Sequence, residues 1–323
     1  MQCQPFSLNE EVTTMPKQKL ILIVGPTAVG KTALSLKLAH RFNGEVISGD
    51  SMQVYRKLDI GTAKILPQEQ QGIRHHLLNV RELTEPFTVA DFKRLATQAI
   101  TATAKRGHQP FVVGGTGFYL QSLLRGYQLG GSASAPQPKL RAKWEHFLVV
   151  HGIQALQQAV AQVDPISARK ISPGDSRRLI RALEVFETTG KPISAQTDQY
   201  NPAYQPLVIG LTTQRSVLYA RINQRVDQML AAGLLTEAKM VYQQRQQAPQ
   251  ASKAIGYKEF FPYFAGECTL AEAVTTVKKN SRHFAKRQLT YFRNQMATHW
   301  FDLLAQPDQL MQIEQTVVQF LND

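Results

Sequence analysis

Cysteine is nearly missing from this chain: Cys3 and Cys268 are the only two in 323 residues, with no CxxC and no Cys/His ligand spacing. That excludes a disulfide framework and a zinc finger, and it fits a reducing cytoplasm. Long apolar runs are missing too. No stretch approaches the length of a membrane span, and Met1 to Gln18 is polar, with Glu10 and Glu11 and no apolar signal core. The chain is therefore expected to be soluble, unprocessed and cytoplasmic, with no membrane partner. Residues 1–18 are read as a flexible leader, which Met15 as an alternative start would make dispensable. Acidic side chains are in deficit, 24 Asp+Glu against 37 Lys+Arg, for a formal net charge of +13. A polyanion is the expected partner, nucleic acid first, although a solvated lysine surface produces the same count. Apolar material is plentiful: 43% hydrophobic residues allow one large domain or two modest ones.

Gly25-Pro26-Thr27-Ala28-Val29-Gly30-Lys31-Thr32 spell a complete G-x-x-x-x-G-K-[ST] phosphate loop, the motif of ATP-binding and other nucleotide-binding proteins. Leu20 to Val24 before it read as a buried strand. Ala33 to Arg41 after it read as a helix, with Leu34, Leu38 and Phe42 on one side. The glycines let backbone N–H groups converge on phosphate oxygens, Lys31 adds a point charge, and Thr32 offers a hydroxyl to Mg²⁺. A diphosphate or triphosphate is the expected ligand.

Strand signals recur at Glu45 to Ser48 and Pro110 to Val113, each followed by a glycine-bearing turn and a helical stretch. The fold class is α/β: a phosphate-loop NTPase-like parallel sheet flanked by helices, with active groups at the carboxyl ends of the strands. From about Gly126 the pattern becomes helical to about Gly190, and a strand reappears at Leu207 to Leu211, followed by one helix-like stretch from Arg215 to Met240. The expected organisation is a core of residues 19–125 and 205–323 interrupted by a helical insertion, 126–204. A late helix begins at Thr269, where Thr-x-x-Glu with Glu272 is a capping box. Val277, Phe284 and Tyr291 mark its packing side; Lys279, Arg282, Lys286 and Arg293 make another side basic.

Asp50, after the second strand, is placed beside the phosphate loop as a general base, a magnesium ligand through water, or the N-cap of a following helix. The turn Gly114 to Tyr119 carries Thr116, a hydrogen-bond donor to a phosphate or bridging oxygen, where a motor NTPase would carry an acid. Arg177, Arg178 and Arg181, and Arg221 with Arg225, suit a leaving phosphate or an RNA backbone, and spacing does not choose between them. His75 and His76 are read as a surface pair in a loop. Cys268 is read as packing or capping.

Read in order, the phosphate loop, Ser48-Gly49-Asp50-Ser51-Met52-Gln53-Val54-Tyr55-Arg56, Asp59-Ile60-Gly61-Thr62-Ala63-Lys64, Val113 to Tyr119, Arg181-Ala182-Leu183-Glu184-Val185, Ala254-Ile255-Gly256-Tyr257-Lys258-Glu259 and Lys286 to Arg293 resemble the tRNA dimethylallyltransferases, from the first strand to about Trp300. The resemblance implies transfer of a dimethylallyl group from dimethylallyl diphosphate to the exocyclic N6 amine of the adenosine adjacent to the anticodon, in tRNAs that read codons beginning with U. It implies Mg²⁺, held by Thr32, and a catalytic set of Asp50 as proton acceptor, Thr116 on the bridging oxygen, and Lys31 and Arg221 on the diphosphate. It assigns tRNA contacts to Asp50, Ser51, Met52, Gln53, Thr116, Arg177, Arg178, Leu179, Ile180, Arg181, Lys253, Gly256, Tyr257, Lys258, Lys286, Arg287, Gln288 and Arg293. A bacterial type is implied, because no cysteine follows Trp300 for a terminal zinc finger, and a monomer is expected. One departure is Gly130 to Pro136, where relatives usually carry an Asp-containing loop, so RNA contact there is in doubt. Three other readings stay open: a small-molecule kinase with Arg177, Arg178 and Arg181 as a lid, a prenyltransferase acting on free AMP or ATP, and a non-catalytic RNA-binding NTPase.

Overall fold

The computed structural model describes residues 17–125, 138–195 and 203–323. Cys3, Met15, nearly all of the leader and the Gly130 to Pro136 loop lie outside the described residues. In chain order the elements are β1 (Gln18–Val24), α1 (Lys31–Arg41), β2 (Gly44–Ser48), β3 (His75–His76), α2 (Val89–Lys105), β4 (Gln109–Gly114), α3 (Gly117–Arg125), α4 (Pro138–Val163), α5 (Pro165–Lys170) and α6 (Ser176–Thr189). Then come β5 (Tyr204–Leu211), α7 (Arg215–Ala231), α8 (Leu234–Gln243), the single turn α9 (Phe261–Phe264), α10 (Leu270–Gln295), β6 (His299–Phe301) and α11 (Gln309–Asn322).

The six strands form one parallel sheet in the order β3-β2-β4-β1-β5-β6. β1 lies between β4 and β5 and is covered on both faces, which is why it reads as an unbroken apolar run rather than an alternation. Its side chains divide by parity. Leu20, Leu22 and Val24 join one core with Phe92, Ile100, Leu120 and Phe292. Ile21 and Ile23 face the other, with Leu34, Leu38, Leu218, Ile222, Ile313 and Val317. A third core belongs to α4, α5 and α6 alone, built on Leu156, Val160, Leu179, Ile180 and Leu183. Among the described residues no helix is long and apolar enough to cross a membrane.

Four local expectations need correction. The stretch from Arg215 to Met240 is two helices, because Gly233 takes the left-handed region at φ +104 and stops the first one. His75 and His76 form the edge strand β3 rather than a loop, paired with Val46 and Ile47; a two-residue strand carries no readable period. On α10 the fully buried side is Ala273, Val277, Ala285, Gln288 and Phe292. Heptad spacing drifts off a 3.6-residue helix, so Phe284 is only half-buried, with the Arg287 guanidinium 5.8 Å from its ring centre. No helix follows Asp50, which instead supports a turn. The capping box at Thr269 and Glu272 forms as read.

Candidate functional site

The loops after β1, β2 and β4 meet at the carboxyl edge of the sheet. Gly49 N–H donates to Val113 O at 2.8 Å, and the backbones of Gly49 and Gly114 lie so close that a Cβ on Gly114 would fall 2.3 Å from Gly49 O. A side chain at Gly114 would push apart the two turns that carry Asp50 and Thr116. Thr116 Oγ1 accepts the Ser51 N–H at 3.1 Å. Asp50 Oδ1 accepts the N–H groups of Met52 (2.8 Å) and Gln53 (3.3 Å), while its second oxygen makes no hydrogen bond to another described residue. One carboxylate oxygen orients the group, and the other is available for a proton.

The phosphate loop opens α1. Lys31 Nζ donates to the carbonyls of Gly25 (3.0 Å) and Pro26 (2.7 Å). Arg221 Nε donates to Ala28 O at 2.9 Å, and Arg225 Nη1 to Thr27 Oγ1 at 3.3 Å. Neither arginine has an acidic partner among the described residues. Burial, helped by the charge of Arg225 and opposed by Asp50, pulls the Lys31 ammonium down to about 7. Burial and Arg221 lower Arg225 as well. Lys31 and Arg225, desolvated beside the exposed Arg221 and ion-paired to no acid, are poised to take up an anion, and the surrounding backbone amides select an oxyanion.

The residues assigned to RNA separate by exposure. Arg177, Arg178, Lys253, Lys258, Lys286, Arg287 and Arg293 are exposed. Lys286 and Arg287 line, with His283, Thr290, Tyr291, Asn294 and Gln295, a groove of about 560 Å³. Arg293 lies over the Trp300 ring, and Arg181 turns toward Glu184 at 3.5 Å. Five of the assigned residues are buried or already engaged within the chain. Leu179 and Ile180 are core residues of the α4–α6 unit, at 0% and 3% exposure. Tyr257 is fully buried and donates its hydroxyl to Glu237. The Gln53 amide accepts from Ser48 Oγ and donates to the carbonyls of Thr62 and Ala63. Gln288 is 6% exposed and lies between the loops after β1 and β4. Gly256 is buried as well, so only its backbone is offered. Ser51 and Met52 are half-buried beside Asp50.

Sequence reading left out two supporting groups. Glu237 accepts the N–H groups of Asp59, Ile60 and Gly61 at 2.9 to 3.0 Å, and so holds the loop whose other end is tied by Lys64 to Asp59, Asn79 and the Tyr55 carbonyl. Nothing near Glu237 in sequence signals this. Arg225 was paired with Arg221 but not placed in the catalytic set, although four-residue spacing puts both on one helix face.

Residues 53–295 match the family described as IPP transferase, a match that begins after the phosphate loop and Asp50. A tRNA dimethylallyltransferase of Latilactobacillus sakei is 53% identical over 291 residues, covering 90% of this chain and 94% of the relative. The structure of the full-length tRNA isopentenylpyrophosphate transferase from Bacillus halodurans is 47% identical and superposes with a TM-score of 0.71, over 95% of this chain and 97% of that one. A eukaryotic dimethylallyltransferase acting on tRNA superposes with a TM-score of 0.77 at 32% identity, over 92% of this chain and 77% of that chain. Agreement of this extent, in sequence and in fold together, decides the ancestry of the site: the chain belongs to the IPP transferase family.

Proposed function

We propose that the chain transfers a dimethylallyl group from dimethylallyl diphosphate to the N6 amine of the adenosine adjacent to the anticodon of tRNAs reading codons that begin with U. One observation carries this reading: Lys31, Arg221 and Arg225 gather at the phosphate loop with no acidic side chain ion-paired to them among the described residues, and the half-exposed carboxylate of Asp50 acts on Lys31 from nearby. The adenosine nitrogen attacks the allylic carbon, the carbon–oxygen bond breaks, and both of its electrons leave with the diphosphate. The loop amides, Lys31 and the two arginines stabilise that growing charge more than they stabilise the substrate, which is what lowers the barrier. Asp50 takes the proton released by the amine. The Thr116 hydroxyl, its oxygen held by Ser51 N–H, donates to the bridging oxygen. The adenine leaves its stack to reach the carbon, at modest cost in an anticodon loop.

Mg²⁺ belongs to the proposal. Thr32 is exposed in the first turn of α1, its hydroxyl bonded to no other described residue, and no group of three or more His, Cys, Asp and Glu gathers for a metal among the described residues. One hydroxyl, diphosphate oxygens and water are a donor set that this hard cation accepts. When bound, it neutralises part of the leaving group's charge. The chain acts in the cytoplasm as a monomer.

The test is incubation with labelled dimethylallyl diphosphate, Mg²⁺ and unmodified tRNA, followed by nucleoside analysis. Label in one adenosine beside the anticodon is expected. Brisk ATP turnover without RNA, and no label in RNA, would replace this reading with the kinase one.

A further inference from the structure

Gln288 sits in a position that an RNA-contacting role does not explain. Its Oε1 accepts the Thr27 N–H at 3.0 Å, and its Nε2 donates to Gly115 O at 3.0 Å. Flipping the amide would set donor against donor and acceptor against acceptor, so its orientation is determined by its partners. The fit leaves no slack, since a Cβ on Gly115 would lie 2.1 Å from Nε2. One side chain thus hydrogen-bonds to both loops at once. The neighbours of Gln288 on α10, Lys286 and Arg287, are exposed and face the groove.

We propose that Gln288 is a positioning residue for the transfer: it sets the separation between the phosphate loop, which holds the diphosphate, and the β4 loop, whose Thr116 holds the bridging oxygen, and ties both to the helix that meets RNA. The proposal rests on the transferase reading above. The two loops act on different oxygens of one leaving group, so a shift of either loop spoils the alignment of the breaking bond while leaving each ligand's own contacts in place. A lost buried hydrogen bond at such a point lowers the rate and not the affinity for RNA.

Gln288→Met keeps length and volume and removes both bonds; Gln288→Glu keeps the acceptor and loses the donor at neutral pH. For Gln288→Met we expect kcat at saturating tRNA to fall about tenfold or more, with the tRNA Kd within about twofold of native. For Gln288→Glu we expect a similar loss near neutral pH that shrinks toward acid. A protonated carboxyl has one oxygen to accept from Thr27 and one O–H to donate to Gly115, and burial raises the pH at which it forms. The ratio of variant to native kcat is the readout, so that any pH dependence common to both forms cancels; Gln288→Met should show no such recovery. If Gln288→Glu fails to fold, Gln288→Met still decides. A weakened tRNA Kd with unchanged kcat makes Gln288 an RNA contact and overturns the proposal. A lowered melting temperature with unchanged kcat per active site makes it a packing residue and does the same. Absence of transfer by the native chain overturns the transferase reading and this proposal together; native transfer with unaltered variants overturns this one alone.

Discussion

Two charged clusters occupy opposite ends of the same sheet, and they are built on opposite principles. Near the start of β2, Glu45 is 4% exposed and fully partnered: Arg106 Nε at 3.1 Å and Nη2 at 2.5 Å, Thr103 Oγ1 at 3.0 Å and His76 Nε2 at 2.6 Å. Burial opposes its charge, yet these partners hold the carboxyl down to about 2. At the carboxyl edge, Lys31, Arg221 and Arg225 have no such partner among the described residues. A charge that finds all its partners within the chain belongs to the fold; a cluster of cations left without a bonded counter-charge is completed by a ligand. Each cluster therefore answers to a different measurement.

Asp50→Asn is the strongest way to break the distinction. The amide oxygen still accepts from Met52 and Gln53, so the turn survives, but the proton acceptor is gone. A loss of about 10² to 10⁴ in kcat is expected, with diphosphate affinity retained. Binding lost along with turnover would make Asp50 part of the fold, like Glu45.

Glu45→Gln should do the reverse. It removes the charge that Arg106, Thr103 and His76 share, and Arg106 is exposed enough for water to take its place, so a cost of about 1 to 2 kcal/mol in urea unfolding is expected, with kcat per folded molecule within about twofold of native. The acid limb carries the same information. The folded carboxyl titrates near 2, below its unfolded value of about 4.5, so its contribution is complete above that value and is lost as pH falls toward 2. The variant's stability should fall less steeply across that window.

How much of this was readable beforehand follows from where the partners lie along the chain. The phosphate loop, with its flanking strand and helix, is contiguous, and Asp50 and Thr116 each lie in a short motif directly after a strand that the sequence signals. Glu237 and Gln250 were not visible. Glu237 is 176 residues from Gly61, and Gln250 is 163 from Phe87, whose N–H and C=O it binds. Only folding brings such pairs together. Motif membership, for its part, does not say which side chains of a motif face inward. Leu179, Ile180 and Leu183 carry the helical spacing of a packed face, and Gln288 shares a face with Ala285 and Phe292. Periodicity within each motif would have separated the buried residues from the exposed cations beside them.

A smaller effect follows from Lys31. With the free ammonium titrating at about 7 under burial and the charge of Arg225, a diphosphate that favours the charged form raises its pKa on binding. Diphosphate affinity should be level below pH 7 and should weaken above it, by up to about tenfold per unit, until the bound-state value is reached. Calorimetric titration between pH 6 and 9 checks this, corrected for the ligand's own ionisation. Lys31→Ala should bind weakly throughout and lose the pH dependence. A dependence that persists in the variant would assign the titration to another group.

The smallest effect sharpens the comparison at the surface, where paired and unpaired cations again differ. Lys286 and Arg287 line the α10 groove without an acidic partner among the described residues, whereas Arg178 faces Asp175 at 3.3 Å. An unpaired cation that meets a phosphate displaces a condensed counterion. One that already has a carboxylate beside it contributes less, because its field is partly cancelled before RNA arrives. Removing Lys286 and Arg287 together should lower the slope of log affinity for tRNA against log salt by about 1.5, and weaken binding several-fold at moderate salt. Arg178→Ala should change the slope by about half a unit or less. Equal changes for paired and unpaired positions would mean that the Asp175 contact opens when RNA binds, and that counter-charge in the free chain does not distinguish a nucleic-acid contact from a solvated one.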